Sequence, residues 1–174
     1  MLIFISKNRL TFFVNKKLKE HYIKFCKDKL SLDGSEEKGN KLRTYSKLKE
    51  KYEIENFLKL DIARSDVSNF IRIRISNSTL MIEKGRHRKI NLANRICPLC
   101  RSEVEDEFHF SMIYDKLKDI RDKFFQKLTD SVPLFSNFSD LEKFFFIFRS
   151  KDYNINMCCI KGISEMYNYR NSLM

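Results

Sequence analysis

The chain has 174 residues, enough for one domain of ordinary size, and carries 34 Lys and Arg against 23 Asp and Glu, a formal balance of +11. With 43% hydrophobic residues and 16 Phe it can bury a core, which excludes wholesale disorder. The 4 Gly and 2 Pro are too few for a many-turned sandwich or barrel, and the glycines lie too far apart for a phosphate-cradling loop, which disfavours dinucleotide and P-loop enzymes.

The expected class is therefore mainly α, a small irregular helical domain. The apolar opening is cut by Lys7 and Arg9, too short for a signal h-region, and no later stretch reaches about 18 apolar residues, so neither a signal peptide nor a membrane span is expected. The cysteines number 5, odd and far below disulfide-scaffold density. An intracellular, reducing setting follows, nuclear or cytoplasmic, with no membrane partner. The positive excess is local: residues 1–30 carry a net +6 and residues 64–101 a net +7, while 31–63 are neutral and 102–130 are net −3. A local basic patch is the footprint of a protein that meets phosphates, although a basic helix is also a common solvated face.

In chain order, Leu18, Tyr22, Phe25, Cys26 and Leu30 recur at helical spacing in residues 15–30. Ser31 to Asn40 reads as a loop. Leu42, Tyr45, Leu48 and Tyr52 mark a second helical stretch, and Ile54, Phe57, Leu58 and Leu60 a short third. Ile71, Ile73 and Ile75 alternate with Arg72 and Arg74 as a strand would, yet Val67, Phe70, Ile71, Arg74 and Ile75 also fit a helix capped by Ser65 or Asp66, the reading preferred here. Ser102 with Glu105 forms a capping-box pattern, followed by an apolar stripe of Ile113, Leu117, Ile120, Phe124 and Leu128 that ends at Val132 and Pro133. A second box, Ser139 with Glu142, opens a Phe-rich helix, and a last helix is predicted from Ile155 to Tyr169 with Cys158 and Cys159 near its apolar side. Three segments result: a basic helical arm and loop (1–40), a central helical domain (41–130) and C-terminal aromatic-rich helices (131–174).

The sharpest local feature is Cys97, Pro98, Leu99, Cys100 followed by His109. Two thiolates on a tight turn grip one tetrahedral ion, and an imidazole from the next helix closes over it, the build of a zinc knuckle. The plainer reading is two buried thiols and a core histidine. A fourth ligand is needed for a closed zinc site. Beyond His109 stands Tyr114, a poor zinc ligand at neutral pH, and Asp115, His87, Cys158, Cys159 or water are the alternatives. His87 lies in a basic run and His21 on a Lys-rich helix, where exposed roles are expected. A Cys hydrolase using Cys97 or Cys100 with His109 lacks an orienting third group.

Taken in order, the stretches Ile71 to Ser76 (IRIRIS), Leu80 to Arg86 (LMIEKGR), Arg95 to Cys100 (RICPLC) and Glu103 to Phe110 (EVEDEFHF) resemble the zinc-binding segment that follows the polymerase core in non-LTR retrotransposon reverse transcriptases. The resemblance covers roughly residues 41 to 130. It implies zinc held by Cys97, Cys100 and His109, with the fourth position, usually a Cys in that family, falling on Tyr114, a degenerate knuckle. Nucleotide transfer needs paired carboxylates that hold two Mg²⁺ ions, and the chain has no Asp-Asp pair. The resemblance thus implies a C-terminal remnant without catalysis. The first functional expectation is a nucleic-acid-binding module that holds RNA or single-stranded DNA through phosphate contacts of Arg72, Arg74, Lys84, Arg86, Arg88, Lys89, Arg95 and Arg101, oriented by the knuckle. The competing expectation is a structural or interaction remnant of a transposable element, with no zinc and no selected nucleic-acid role.

Overall fold

The computed structural model describes residues 7–32, 42–49 and 55–174. Among them the regular structure is helical: α1 (Lys7–Leu32), α2 (Arg43–Leu48), α3 (Arg64–Arg74), α4 (Met81–His87), α5 (Lys118–Ser131), α6 (Asp140–Arg149) and α7 (Tyr153–Ser172), with 3-10 turns between several of them. The β pairing among these residues is one antiparallel bridge between Ile96 and Val104. The chain is mainly α, as its shortage of Gly and Pro predicts. Most of the expected loop, residues 33–40, together with Tyr52 and Ile54, lies outside the described residues. On α1 the stripe read as apolar is largely open, with Leu18, Tyr22 and Phe25 exposed and Cys26 half-buried.

Burial settles how the alternating isoleucines fold. In α3, Phe70, Ile73 and Arg74 are buried, Val67 and Ile71 half-buried, and Arg72 exposed, a face that only helical spacing produces. The expected cap is absent. Helix α3 starts earlier, with Ala63 in the N-cap position, and Asp66 accepts a 2.7 Å hydrogen bond from Ser164 Oγ on α7 instead.

Helix α7 is the centre of the packing, with α3 and α5 against it. Its Cys159, Ile160, Ile163, Met166 and Tyr167 are all buried. Gly162 lets α5 approach, because a Cβ there would land on the Phe124 ring. Phe70 of α3 lies between Phe57, edge-on at 5.4 Å, and Phe148 of α6, stacked at 5.2 Å. Burying each such side chain is worth about 1.5–3 kcal/mol. One continuous core runs from Leu48 to Tyr167, so the segments expected as 41–130 and 131–174 share it.

Helix α6 opens as predicted: Ser139 Oγ accepts from the Glu142 N–H and Glu142 reaches back to the Ser139 N–H at 2.8 Å. Helix α5 ends at Ser131, where Pro133 can donate no backbone bond.

Candidate metal centre

The bridge between Ile96 and Val104 brings two short segments together, and Cys97 N–H donates to Glu103 O (2.8 Å). Inside this hairpin the Arg101 N–H returns to Cys97 O at 2.9 Å, and Arg101 sits in the left-handed region at φ 60°. A non-glycine residue there is uncommon and costs about 1–2 kcal/mol. That bend closes the Cys97 to Cys100 turn and leaves both thiols on one side.

The expected Ser102 and Glu105 box does not form. Glu105 is buried elsewhere, and Asp106 is the residue that starts the helix, its Oδ1 accepting from His109 N–H at 2.7 Å and its carbonyl from Phe110 N–H at 3.0 Å. Residues His109–Ile113 then widen into a π turn, closed by Tyr114 N–H donating to His109 O at 2.9 Å. The predicted continuous stripe is therefore broken: Ile113 faces solvent, and α5 restarts at Lys118 after a 3-10 turn.

These elements bring Cys97, Cys100 and His109 together, with one ligand atom of each lying within 4.8 Å of the others. His109 Nε2 is 3.4 Å from Cys100 Sγ, and its Nδ1 is 3.4 Å from Glu103 Oε2, the pairing that fixes the ring of a metal-ligating histidine. Burial pushes the Cys97 thiol up to about 11. Burial also acts upward on Cys100, but hydrogen bonds from the Ser102 side chain and backbone outweigh it and bring that thiol down to about 7. A low-pKa thiol is the better metal ligand, because the thiolate is the binding form.

Two thiols and an imidazole are a donor set that suits zinc. Tyr114 is buried beside this cluster with its hydroxyl unpartnered, its ring centroid 6.0 Å from that of His109. Burial, then the charges of Cys97 and Cys100, pushes this phenol up to about 12, so it stays protonated. Asp115 and His87 are exposed, and the cluster among the described residues includes neither of them, nor Cys158 or Cys159 of α7. The residues present fit a Cys₂His ion site with one position not supplied by a fourth Cys or His.

No family model, curated protein or solved structure matches this chain.

The cationic residues separate into two groups. Arg72, Arg88, Lys89 and Arg101 are exposed, and Lys84 and Arg86 are half-buried, Arg86 held by Glu83 at 2.8 Å. Arg74 and Arg95 depart from the phosphate-contacting role expected of them. Arg74 is buried between the Tyr45 and Phe57 rings and paired with Glu55 at 2.9 Å. Arg95 is buried and donates to the carbonyls of Ile82 and Ile90, both at 3.0 Å, which ties α4 to the hairpin. Gly85 makes this possible, since a Cβ there would meet Arg95 Cγ at 2.5 Å.

Arg64, to which sequence reasoning gave no role, lines with Arg72 an open groove of about 660 Å³ walled by Leu58, Leu60 and Ile71. Its signal was present only as an unassigned Arg at the start of α3. None of the helices of the described residues is long and apolar enough to cross a membrane.

Proposed function

We propose that this chain is a non-catalytic nucleic-acid-binding module built around a zinc knuckle, related to the segment that follows the polymerase core in non-LTR retrotransposon reverse transcriptases. The observation that carries the reading is the convergence of Cys97, Cys100 and His109 on one point, from a hairpin and a separate helix. Cys97, Cys100 and His109 would hold the ion, and the ion would supply a cross-link rather than a reaction. The exposed Arg72, Arg88, Lys89 and Arg101 support the second half of the reading, because free guanidinium and ammonium groups bind phosphates. Arg64 and Arg72, which line one open groove, suit the backbone of single-stranded RNA or DNA, which a positively charged groove tracks.

Two measurements test this. Purified protein is expected to carry about one equivalent of zinc and to lose helicity on chelation. Affinity for a single-stranded RNA or DNA is expected to fall steeply, with log affinity declining by about 0.7 per phosphate contact for each unit of log salt. Protein that folds identically without zinc, with binding flat in salt, would instead identify a structural remnant.

A further inference from the structure

Tyr114 holds a position that a regular helix would not give it. At 3.6 residues per turn, residues five apart lie about 140° apart around an α-helix. His109 and Tyr114 are five apart, yet their rings lie 6.0 Å apart and inclined by 30°. The π turn closes the angle, and such turns recur at functional sites. The Tyr114 carbonyl is held as well, accepting from Leu117 N–H and Arg121 Nη1, each at 3.1 Å.

Against this fixed background the hydroxyl is anomalous. The side chain is 2% exposed and its oxygen has no hydrogen-bond partner. Buried phenols ordinarily find one, and phenylalanine would pack in the same space without that cost. The Tyr114 ring packs beside that of His109, whose ligand atom lies within 4.8 Å of those of Cys97 and Cys100, so the unpartnered hydroxyl belongs to the surroundings of that trio.

We propose that Tyr114 is the hydrogen-bond donor to an exchangeable fourth ligand of the ion held by Cys97, Cys100 and His109, a small anion or water, which leaves the centre open on one side. The inference rests on the metal reading above and deepens it. Glu105 accepts from the Cys97 thiol at 3.8 Å and Glu103 faces His109 Nδ1 at 3.4 Å, so both carboxylates are engaged with the trio and neither partners the phenol. A phenol donates as well as accepts, so an exchangeable ligand in the remaining position would take the hydrogen bond that the Tyr114 hydroxyl lacks.

The test loads the full chain with Co²⁺, whose visible absorption reports coordination, and compares wild type, Tyr114→Phe and Tyr114→Cys during titration with azide. Wild type is expected to bind one Co²⁺ and to shift its spectrum saturably with azide. Tyr114→Phe is expected to bind Co²⁺ too, melt higher than wild type without metal, and bind azide about tenfold more weakly, the worth of one hydrogen bond to a charged acceptor. Tyr114→Cys is expected to close the site and abolish the azide response. Equal azide affinity in wild type and Tyr114→Phe overturns the inference while leaving the metal reading intact. So does a wild-type spectrum that ignores azide, since it marks Tyr114 as a direct ligand or the site as closed by another group. A wild type that takes up neither Co²⁺ nor Zn²⁺ removes the metal reading and this inference with it.

Discussion

Arg170 on α7 forks onto Glu105 of the hairpin that carries Cys97, Nε to Oε1 and Nη2 to Oε2, both at 2.8 Å, with both side chains buried. Glu105 Oε1 also accepts from the Cys97 thiol at 3.8 Å, and Oε2 from Met81 N–H at 2.6 Å. One carboxylate thus joins the last helix, the start of α4 and a thiol of the Cys97, Cys100 and His109 cluster. Removing one partner of a buried pair leaves the other charge uncompensated, which costs about 3–5 kcal/mol. Arg170→Leu is expected to lower the urea unfolding free energy by that amount, and Arg170→Leu with Glu105→Leu to recover most of it. A single variant as stable as wild type would show that the pair does not hold the hairpin to α7.

Glu105 also shows where sequence reasoning stops. Ser139 with Glu142 and Ser102 with Glu105 carry the same capping pattern, and only the first caps a helix. The difference is Arg170, 65 residues away, whose buried charge recruits Glu105. Local pattern cannot register so distant a partner. Arg74 and Arg95 are misread for the same reason, since Glu55 and two backbone carbonyls draw them inward. The helices that periodicity places correctly, α3, α6 and α7, are those whose buried faces, such as Phe70 with Ile73 and Ile160 with Ile163, follow 3.6-residue spacing. The ligand trio is legible because Cys97, Cys100 and His109 are chemically distinctive. The π turn that brings Tyr114 to them leaves no mark in the residue pattern.

Glu103 tests the proposed metal site from outside the Cys97, Cys100 and His109 cluster. Its carboxylate faces His109 Nδ1 at 3.4 Å and is itself largely solvent-facing, so changing it spares the core. Partners of this kind are worth about 10–100-fold in metal affinity. Glu103→Ala is expected to weaken zinc binding by such a factor, read by competition with a chromophoric chelator, while leaving the metal-free melting temperature within about 2 °C. A zinc affinity equal to wild type would remove Glu103 from the site.

The acid limb of stability carries a signature of Glu55. Burial acts upward on this carboxyl, but hydrogen bonds from Lys49 and Arg74 outweigh it and hold it below its ordinary 4.5. A carboxylate whose folded pKa lies below its unfolded one stabilises the fold above the unfolded value and loses that contribution as pH falls through the folded value. Glu107 shifts upward through burial, and its contribution has the opposite sign, so total stability is not the clean readout. The difference between wild type and Glu55→Gln isolates the effect. It is expected to be level above about pH 5 and to shrink as pH falls below about 4.5. A difference that grows on acidification would reverse the assignment.

Gly162 lies inside α7, where alanine is ordinarily about 1 kcal/mol more favourable. Its added Cβ would nonetheless strike the Phe124 ring. Overpacking of this kind costs about 1–3 kcal/mol, more than helix propensity returns. Gly162→Ala is expected to lower the thermal midpoint, and Phe124→Leu in the same chain to restore part of it. A higher midpoint for Gly162→Ala would mean that α5 and α7 have room to separate.

The division of the arginines makes the nucleic-acid reading testable residue by residue. Arg72, Arg88, Lys89 and Arg101 are exposed, so replacing each by glutamine should leave the melting temperature nearly unchanged. Each replacement that removes a phosphate contact is expected to reduce the slope of log affinity against log salt by about 0.7 on a single strand. Arg74→Gln should behave in the opposite way, because it strips Glu55 of a buried partner and empties the space between Tyr45 and Phe57. It is expected to lose stability, with any folded fraction keeping the wild-type salt slope. Were Arg74→Gln to change the slope while the four exposed variants did not, the polyanion would be meeting a different face of the protein, and the cationic surface assigned here would be wrong.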